Sequence, residues 1–264
     1  MTAPDAQDAP DAPPIVFVHG TRFSAGQWSP QLAALRSDFR VAAVDLPGHG
    51  ARSDQPWSLD AATEIIASAV DSLACGPALV VGHSLGGYAS LEFARRCPEQ
   101  LRGLVLAGAS ASTRGRWATP YRWVAGLVPR LPADRLARLN DRLLRRLYPP
   151  EVVAATIRAG YAFHTLPAAW GEVLGRFDAG SMRHVASPVL ILNGEKDTVF
   201  RSGERDFARA HPDARVELIP RASHLANFDD PDAFTDAVRR FARQLAAGSW
   251  HQPVATPPSS PSSS

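Results

Sequence analysis

Between Pro77 and Phe93 an apolar run, Leu79-Val80-Val81, breaks at Gly82-His83-Ser84-Leu85-Gly86-Gly87 and resumes with helical spacing through Tyr88, Ala89, Glu92 and Phe93. Strand, sharp turn and helix are therefore expected to follow one another directly. A corner this tight presses the positions two before and two after its tip against neighbouring backbone, where a Cβ has little room. Both are glycine, Gly82 and Gly86, and the residue at the tip is Ser84.

The same alternation runs along most of the chain. Ile15-Val16-Phe17-Val18 reads as a strand buried on both faces and ends at His19-Gly20. Helix-compatible residues 27–37 precede a second strand, 41–46, closed by Pro47-Gly48-His49-Gly50. A helix over 59–73 leads into the glycine-flanked corner, and its helix stops at Cys97-Pro98. Strands follow at 101–107, 188–193 and 216–220, with helices at 203–210 and 231–246. This order predicts an α/β fold with a doubly wound, mostly parallel sheet. The alternation fails between 112 and 184, where helical segments are broken by Pro120, Pro129, Pro132, Pro149-Pro150 and Pro167. The expected organisation is thus a core of 14–111 and 185–247 with a helical cap inserted at 112–184. Pro/Asp/Ala-rich residues 1–13 and Pro/Ser-rich residues 248–264 read as disordered tails.

Hydrophobic residues make up 45% of the 264, enough for one well-filled domain with an insertion. A net charge of +2 gives no case for nucleic acid. Cys75 and Cys97 show neither disulfide-framework nor metal spacing, so no metal and no cofactor is expected. An apolar stretch of about 18 residues is missing and the N-terminal segment carries Asp where a secretory signal carries bases, so neither membrane association nor export is expected and the cytoplasm is the default. Charge is unevenly spread: residues 112–183 hold twelve arginines against five acids.

A serine hydroxyl becomes a nucleophile when a base takes its proton, and the base needs an acceptor to orient it. Asp197 follows the strand at 188–193 through Gly194-Glu195-Lys196, and His224 follows the last strand through Pro220-Arg221-Ala222-Ser223. Ser84, Asp197 and His224 all come after strands, at the carboxyl edge where sites gather in parallel sheets, in the chain order expected of a serine elbow. Glu195 and Asp229 are the substitutes for Asp197. An oxyanion would be held by the Leu85 N–H and by one from the loop after the first strand, Thr21 ahead of Arg22 or Phe23. His49 and His83 lie near the same sheet edge.

His19-Gly20, Asp45-Leu46-Pro47-Gly48-His49-Gly50, Gly82-His83-Ser84-Leu85-Gly86-Gly87, Gly194-x-x-Asp197 and Ser223-His224 together resemble the α/β-hydrolase superfamily, in particular its small capped members, over residues 14 to about 246. The resemblance implies Ser84 as nucleophile, His224 as base, Asp197 as orienter and a cap over the site. It is similar to carboxylesterases, carbon–carbon bond hydrolases, perhydrolases and pimeloyl-carrier-protein methyl esterases. Members of that superfamily usually begin with an antiparallel hairpin, for which the residues before Ile15 leave no room. The expected activity is cleavage of an ester, lactone or thioester of a small to medium, largely apolar substrate through an acyl-enzyme. Alternatives are a cofactor-free lyase or cyclase using the triad as a base, and a non-catalytic ligand receptor. Arg22, Tyr88, Trp123 and Phe163 are the expected substrate contacts. A small-molecule substrate is the expected partner, with an acidic acyl-carrier domain as a further candidate for the arginine-rich cap.

Overall fold

The computed structural model describes residues 12–115, 123 and 126–250; the two tails beyond these bounds, and what was expected of them, lie outside the described residues. Six strands form one sheet: β1 (Ile15–Val18), β2 (Val41–Val44), β3 (Ala78–His83), β4 (Leu101–Ala107), β5 (Val189–Gly194) and β6 (Ala214–Ile219). Their order is β2-β1-β3-β4-β5-β6, and every neighbouring pair is parallel. β1, β3 and β5 are buried at every position, as strands covered on both faces must be.

Alternate residues of each strand enter two separate cores. Val16, Val18, Val80, Leu104, Leu106 and Ile191 face helices α2 (Leu59–Ser72) and α3 (Leu85–Arg96). Phe17, Leu79, Val81, Val105, Leu190 and Leu192 face α1 (Ser29–Leu35) and the closing helix, Pro231–Ala246, through Trp28, Leu35, Phe234, Val238 and Phe241. The strand order reverses beside β1 and β3, which opens a crevice at their carboxyl ends. The corner holding Ser84 and the loop of His19–Phe23 stand there.

The insertion forms α4 (Ala133–Leu147), α5 (Pro150–Ala159) and α6 (Leu166–Val173) with short 3-10 turns between them. Three of its aromatics face the core: Tyr148 lies edge-on to Phe228, Trp170 edge-on to Tyr88, and Phe177 against Tyr88. After the cap come α7 (Glu204–Arg209), a one-turn α8 (Ala226–Asp229) just past His224, and α9 (Pro231–Ala246). The expected C-terminal tail begins too early. Trp250 is only 4% exposed, packs on Phe241 with ring centroids 4.4 Å apart, lies under the Arg215 guanidinium and donates its indole N–H to the Asp213 carbonyl at 2.8 Å. A large aromatic in a Pro/Ser-rich neighbourhood was enough to tie residues 248–250 down. Among the described residues no helix is long and apolar enough to cross a membrane.

Candidate active site

Ser84 stands at the tip of the β3–α3 corner in a left-handed conformation, φ 52° and ψ −116°, strain of roughly 1–3 kcal/mol that the surrounding contacts hold in place. Its N–H donates to the Ala107 carbonyl at 2.8 Å, and its own carbonyl accepts from Gly87 N–H at 2.9 Å to begin α3. A Cβ on Gly86 would come within 2.5 Å of the Val18 and His19 carbonyl oxygens, and one on Gly82 within 2.6 Å of Gly86 O. The two glycines therefore let the corner press against β1, which fixes where the hydroxyl emerges.

Asp197 and His224 arrive on the loops after β5 and β6. Asp197 Oδ2 accepts the His224 Nδ1–H at 2.6 Å, while Oδ1 accepts the Phe200 N–H at 3.1 Å. Burial alone would raise the Asp197 pKa, but the hydrogen bond from His224 and its charge outweigh that, and the carboxyl sits below its ordinary range. With Nδ1 donating, Nε2 of His224 is left as the basic nitrogen. The two loops cross at Gly194, where a Cβ would lie 2.0 Å from the Ser223 carbonyl oxygen. The Phe200 ring stacks on the imidazole at 4.1 Å. Neither substitute acid touches His224: Glu195 accepts the Arg221 N–H at 2.8 Å, and Asp229 accepts from the Ser223 N–H and hydroxyl.

His83, next to the serine, is a structural brace. Its Nε2–H donates to the His224 carbonyl at 2.9 Å, and Nδ1 accepts from Gln27 at 3.0 Å. Burial, with the nearby His224 charge, pushes its pKa down to about 3, so the ring is neutral. His49 behaves alike: Nδ1–H donates to Pro47 O at 2.8 Å and burial lowers its pKa to about 4. His19 donates to Gly20 O and accepts the Leu46 N–H, and burial with the neighbouring His49 charge holds it well below its ordinary value.

In the loop after β1, the Gly20 N–H donates to Gln27 Oε1 at 2.8 Å and the Phe23 N–H to the Gly20 carbonyl at 3.1 Å. Phe23 is thereby occupied, while the Thr21 and Arg22 N–H groups carry no hydrogen bond among the described residues. Leu85 is the first residue of α3, where an N–H has no partner within its helix. The Thr21 hydroxyl accepts the Trp170 indole N–H at 3.1 Å and so ties this loop to the cap.

The expected substrate contacts are dispersed. Tyr88 is 1% exposed and its hydroxyl donates to the Ala111 carbonyl at 2.8 Å, which commits it to the floor beneath the cap. Trp123 is 75% exposed on the surface. Phe163 is half-buried, packed on the core and beside Tyr161. Arg22 lies at the seam between core loop and cap, its Nε–H donated to Asn140 Oδ1 at 3.2 Å. Sequence reasoning passed over Gln27, which joins the Gly20 N–H, His83 and Asn227, and Asn193, which accepts the Gly108 N–H and donates to Ser110 and Glu204. Asn193 closing an apolar strand before a glycine was the one visible hint.

Comparison with known proteins identifies the family of the chain. Residues 15–237 match the family described as the alpha/beta hydrolase family. A pimeloyl-[acyl-carrier protein] methyl ester esterase of Nitrosomonas europaea is 30% identical over 240 residues, covering 85% of this chain and 93% of that one. A 3-oxoadipate enol-lactonase of Acinetobacter baylyi is 27% identical over 248 residues, 89% of this chain and 90% of its own. Among solved structures, a thermophilic esterase from Thermogutta terrifontis superposes with a TM-score of 0.69 at 25% identity over 88% of this chain and 90% of that one.

Proposed function

Because the chain belongs to the alpha/beta hydrolase family, and is a hydrolase, we propose that it cleaves an ester, lactone or thioester of a small to medium acyl compound through a covalent acyl-enzyme on Ser84. The observation that carries this reading is the 2.6 Å hydrogen bond from His224 to Asp197 at the strand ends beside the strained Ser84 corner. In the first step Ser84 Oγ bonds to the carbonyl carbon as its proton passes to His224 Nε2, and the π electrons move to the carbonyl oxygen. The Leu85 N–H with that of Thr21 or Arg22 would receive that oxyanion. Collapse expels the alcohol or thiol, which takes the proton from His224, and water then repeats the sequence to release the acid. Asp197, held anionic, stabilises the imidazolium in both halves.

Two relatives are named for ester and lactone cleavage, one of them for a carrier-bound methyl ester. Labelling by a fluorophosphonate probe, followed by a panel of p-nitrophenyl esters, lactones and an acyl-carrier-linked methyl ester, tests the reading. Ser84→Ala should abolish labelling and lower turnover by on the order of 10⁴ with unfolding unchanged. Undiminished turnover in Ser84→Ala would transfer the chemistry to His224 acting as a base alone.

A further inference from the structure

Arg22 is the cationic side chain of the loop that approaches the serine, and its surroundings do not explain its charge. The guanidinium sits over the Phe23 ring at 4.4 Å, with Tyr148 and Tyr161 nearby. Its one hydrogen bond among the described residues is from Nε to the neutral Asn140 side chain, and no carboxylate lies within 4.0 Å of it among them. Burial depresses its basicity below the ordinary arginine value, the mark of a cation taken partly out of water. A desolvated charge without an anionic partner is costly, and the planar fork of Nη groups that Asn140 leaves over matches a carboxylate in two parallel bonds.

The position is defined from three sides. Gly20, two residues earlier, stands where a Cβ would be 3.5 Å from Ser84 Cβ and 2.5 Å from the His83 ring. The Arg22 carbonyl accepts the Ala162 N–H of the cap at 3.0 Å, which fixes the backbone. The Nε bond to Asn140 of α4 fixes the direction of the head. Phe23, Tyr148 and Phe228 form an apolar cluster at the same seam. The loop beside Ser84 therefore carries, next to apolar surface, an oriented cation with no carboxylate within 4.0 Å among the described residues.

Building on the acyl-enzyme reading above, we propose that Arg22 binds a carboxylate carried by the substrate at the far end from the scissile bond, so that the preferred substrates are half-esters or lactones of dicarboxylic acids. The fully neutral esters of the same acids are the disfavoured class. Arg22 acts here as a specificity-determining residue.

The experiment compares monomethyl glutarate with dimethyl glutarate. For the wild-type chain, kcat/KM should favour the half-ester, and Arg22→Gln should cut that ratio roughly 10- to 100-fold, the range of a lost charge-assisted pair. Arg22→Lys, which keeps charge but loses the fork, should fall between the two. A second arm avoids turnover: Ser84→Ala should bind monomethyl glutarate more tightly than the dimethyl ester by calorimetry, and adding Arg22→Gln should erase the difference. Equal losses on both esters in Arg22→Gln, or equal binding of both by Ser84→Ala, would make Arg22 a tie between core and cap and overturn the proposal, while fluorophosphonate labelling of Ser84 still stood. Ester turnover surviving in Ser84→Ala would overturn the acyl-enzyme reading, with the binding difference left to report on Arg22.

Discussion

Two helices of nearly equal length and similar patterning are used in opposite ways. In the core, α9 buries Phe234, Ala237, Val238, Phe241, Ala242 and Leu245, and its arginines are matched: Arg239 and Arg243 pair with Asp38, and Arg240 with Glu217. In the cap, α4 buries only Asn140 and Leu144, leaves Leu139, Leu143 and Leu147 exposed, and shows one ion pair among the described residues, Arg138 with Asp134. Amphipathic spacing says that a helix has an apolar side; it does not say how much of that side the fold will cover. The core helix has spent its surface on the sheet, whereas the cap helix retains apolar and cationic surface. Under the proposed reading, chemistry is rooted in the covered half of the molecule, and the selection of what reaches it belongs to the seam and the cap.

The sharpest division would come from Asp197→Asn, a core change that leaves shape intact but removes the anion facing His224. Turnover should fall by about 10⁴ with the melting temperature nearly unchanged; a loss of less than tenfold would mean that orientation of His224 comes from Phe200 and the cap side instead.

Glycine-to-alanine changes compare packing in the two halves. Gly194→Ala places a Cβ 2.0 Å from the Ser223 carbonyl and should cost several kcal/mol, to the point of poor recovery of folded protein, since backbone cannot step aside cheaply. Gly171→Ala, within cap helix α6 and with nothing within 4 Å, should stabilise by roughly 0.5–1 kcal/mol in a denaturant titration. Similar effects at the two positions would erase the contrast.

Acid should loosen the core first. Unfolded histidines take up protons below about pH 6.5, whereas His49 and His83 stay neutral in the folded chain down to about 4 and about 3, and His19 is held low as well. The unfolded state then binds more protons, so stability falls as pH drops from about 6.5 toward 4, by up to about 1.4 kcal/mol per pH unit for each histidine. Calorimetric melting at pH 7, 6 and 5 should show a steady decline that His49→Gln reduces; a flat profile would contradict the neutral assignment. The least effect is expected from the cap: Arg142→Glu with Arg145→Glu should change stability by under about 1 kcal/mol, and a larger loss would reveal that this face is anchored after all.

Where the sequence spoke clearly, it did so through rules of local geometry. Ser84, Asp197 and His224 were legible because each follows an apolar strand at a breaker, and Gly82 and Gly86 because a corner excludes Cβ atoms. Gln27, Asn193 and the Arg22–Asn140 bond were not. They are polar residues whose partners lie 56, 85 and 118 positions away, as with Gln27 to His83, Gly108 to Asn193 and Arg22 to Asn140, and no periodicity records such pairings. Trp250 misled for the opposite reason, since its surroundings were those of a tail and only the surface of α9 and Asp213 gave it a place.

His83 and His224 meet across 141 residues of chain, with the whole cap between them, and that distance has a meaning in time. During synthesis at about 5–20 residues per second the serine corner is made on the order of ten seconds before the histidine proposed as its base leaves the ribosome. Under the proposed acyl-enzyme reading, Ser84 gains its base only once β6 has paired with β5 and brought His224 to Asp197, so that completion of the sheet and onset of reactivity would be one event.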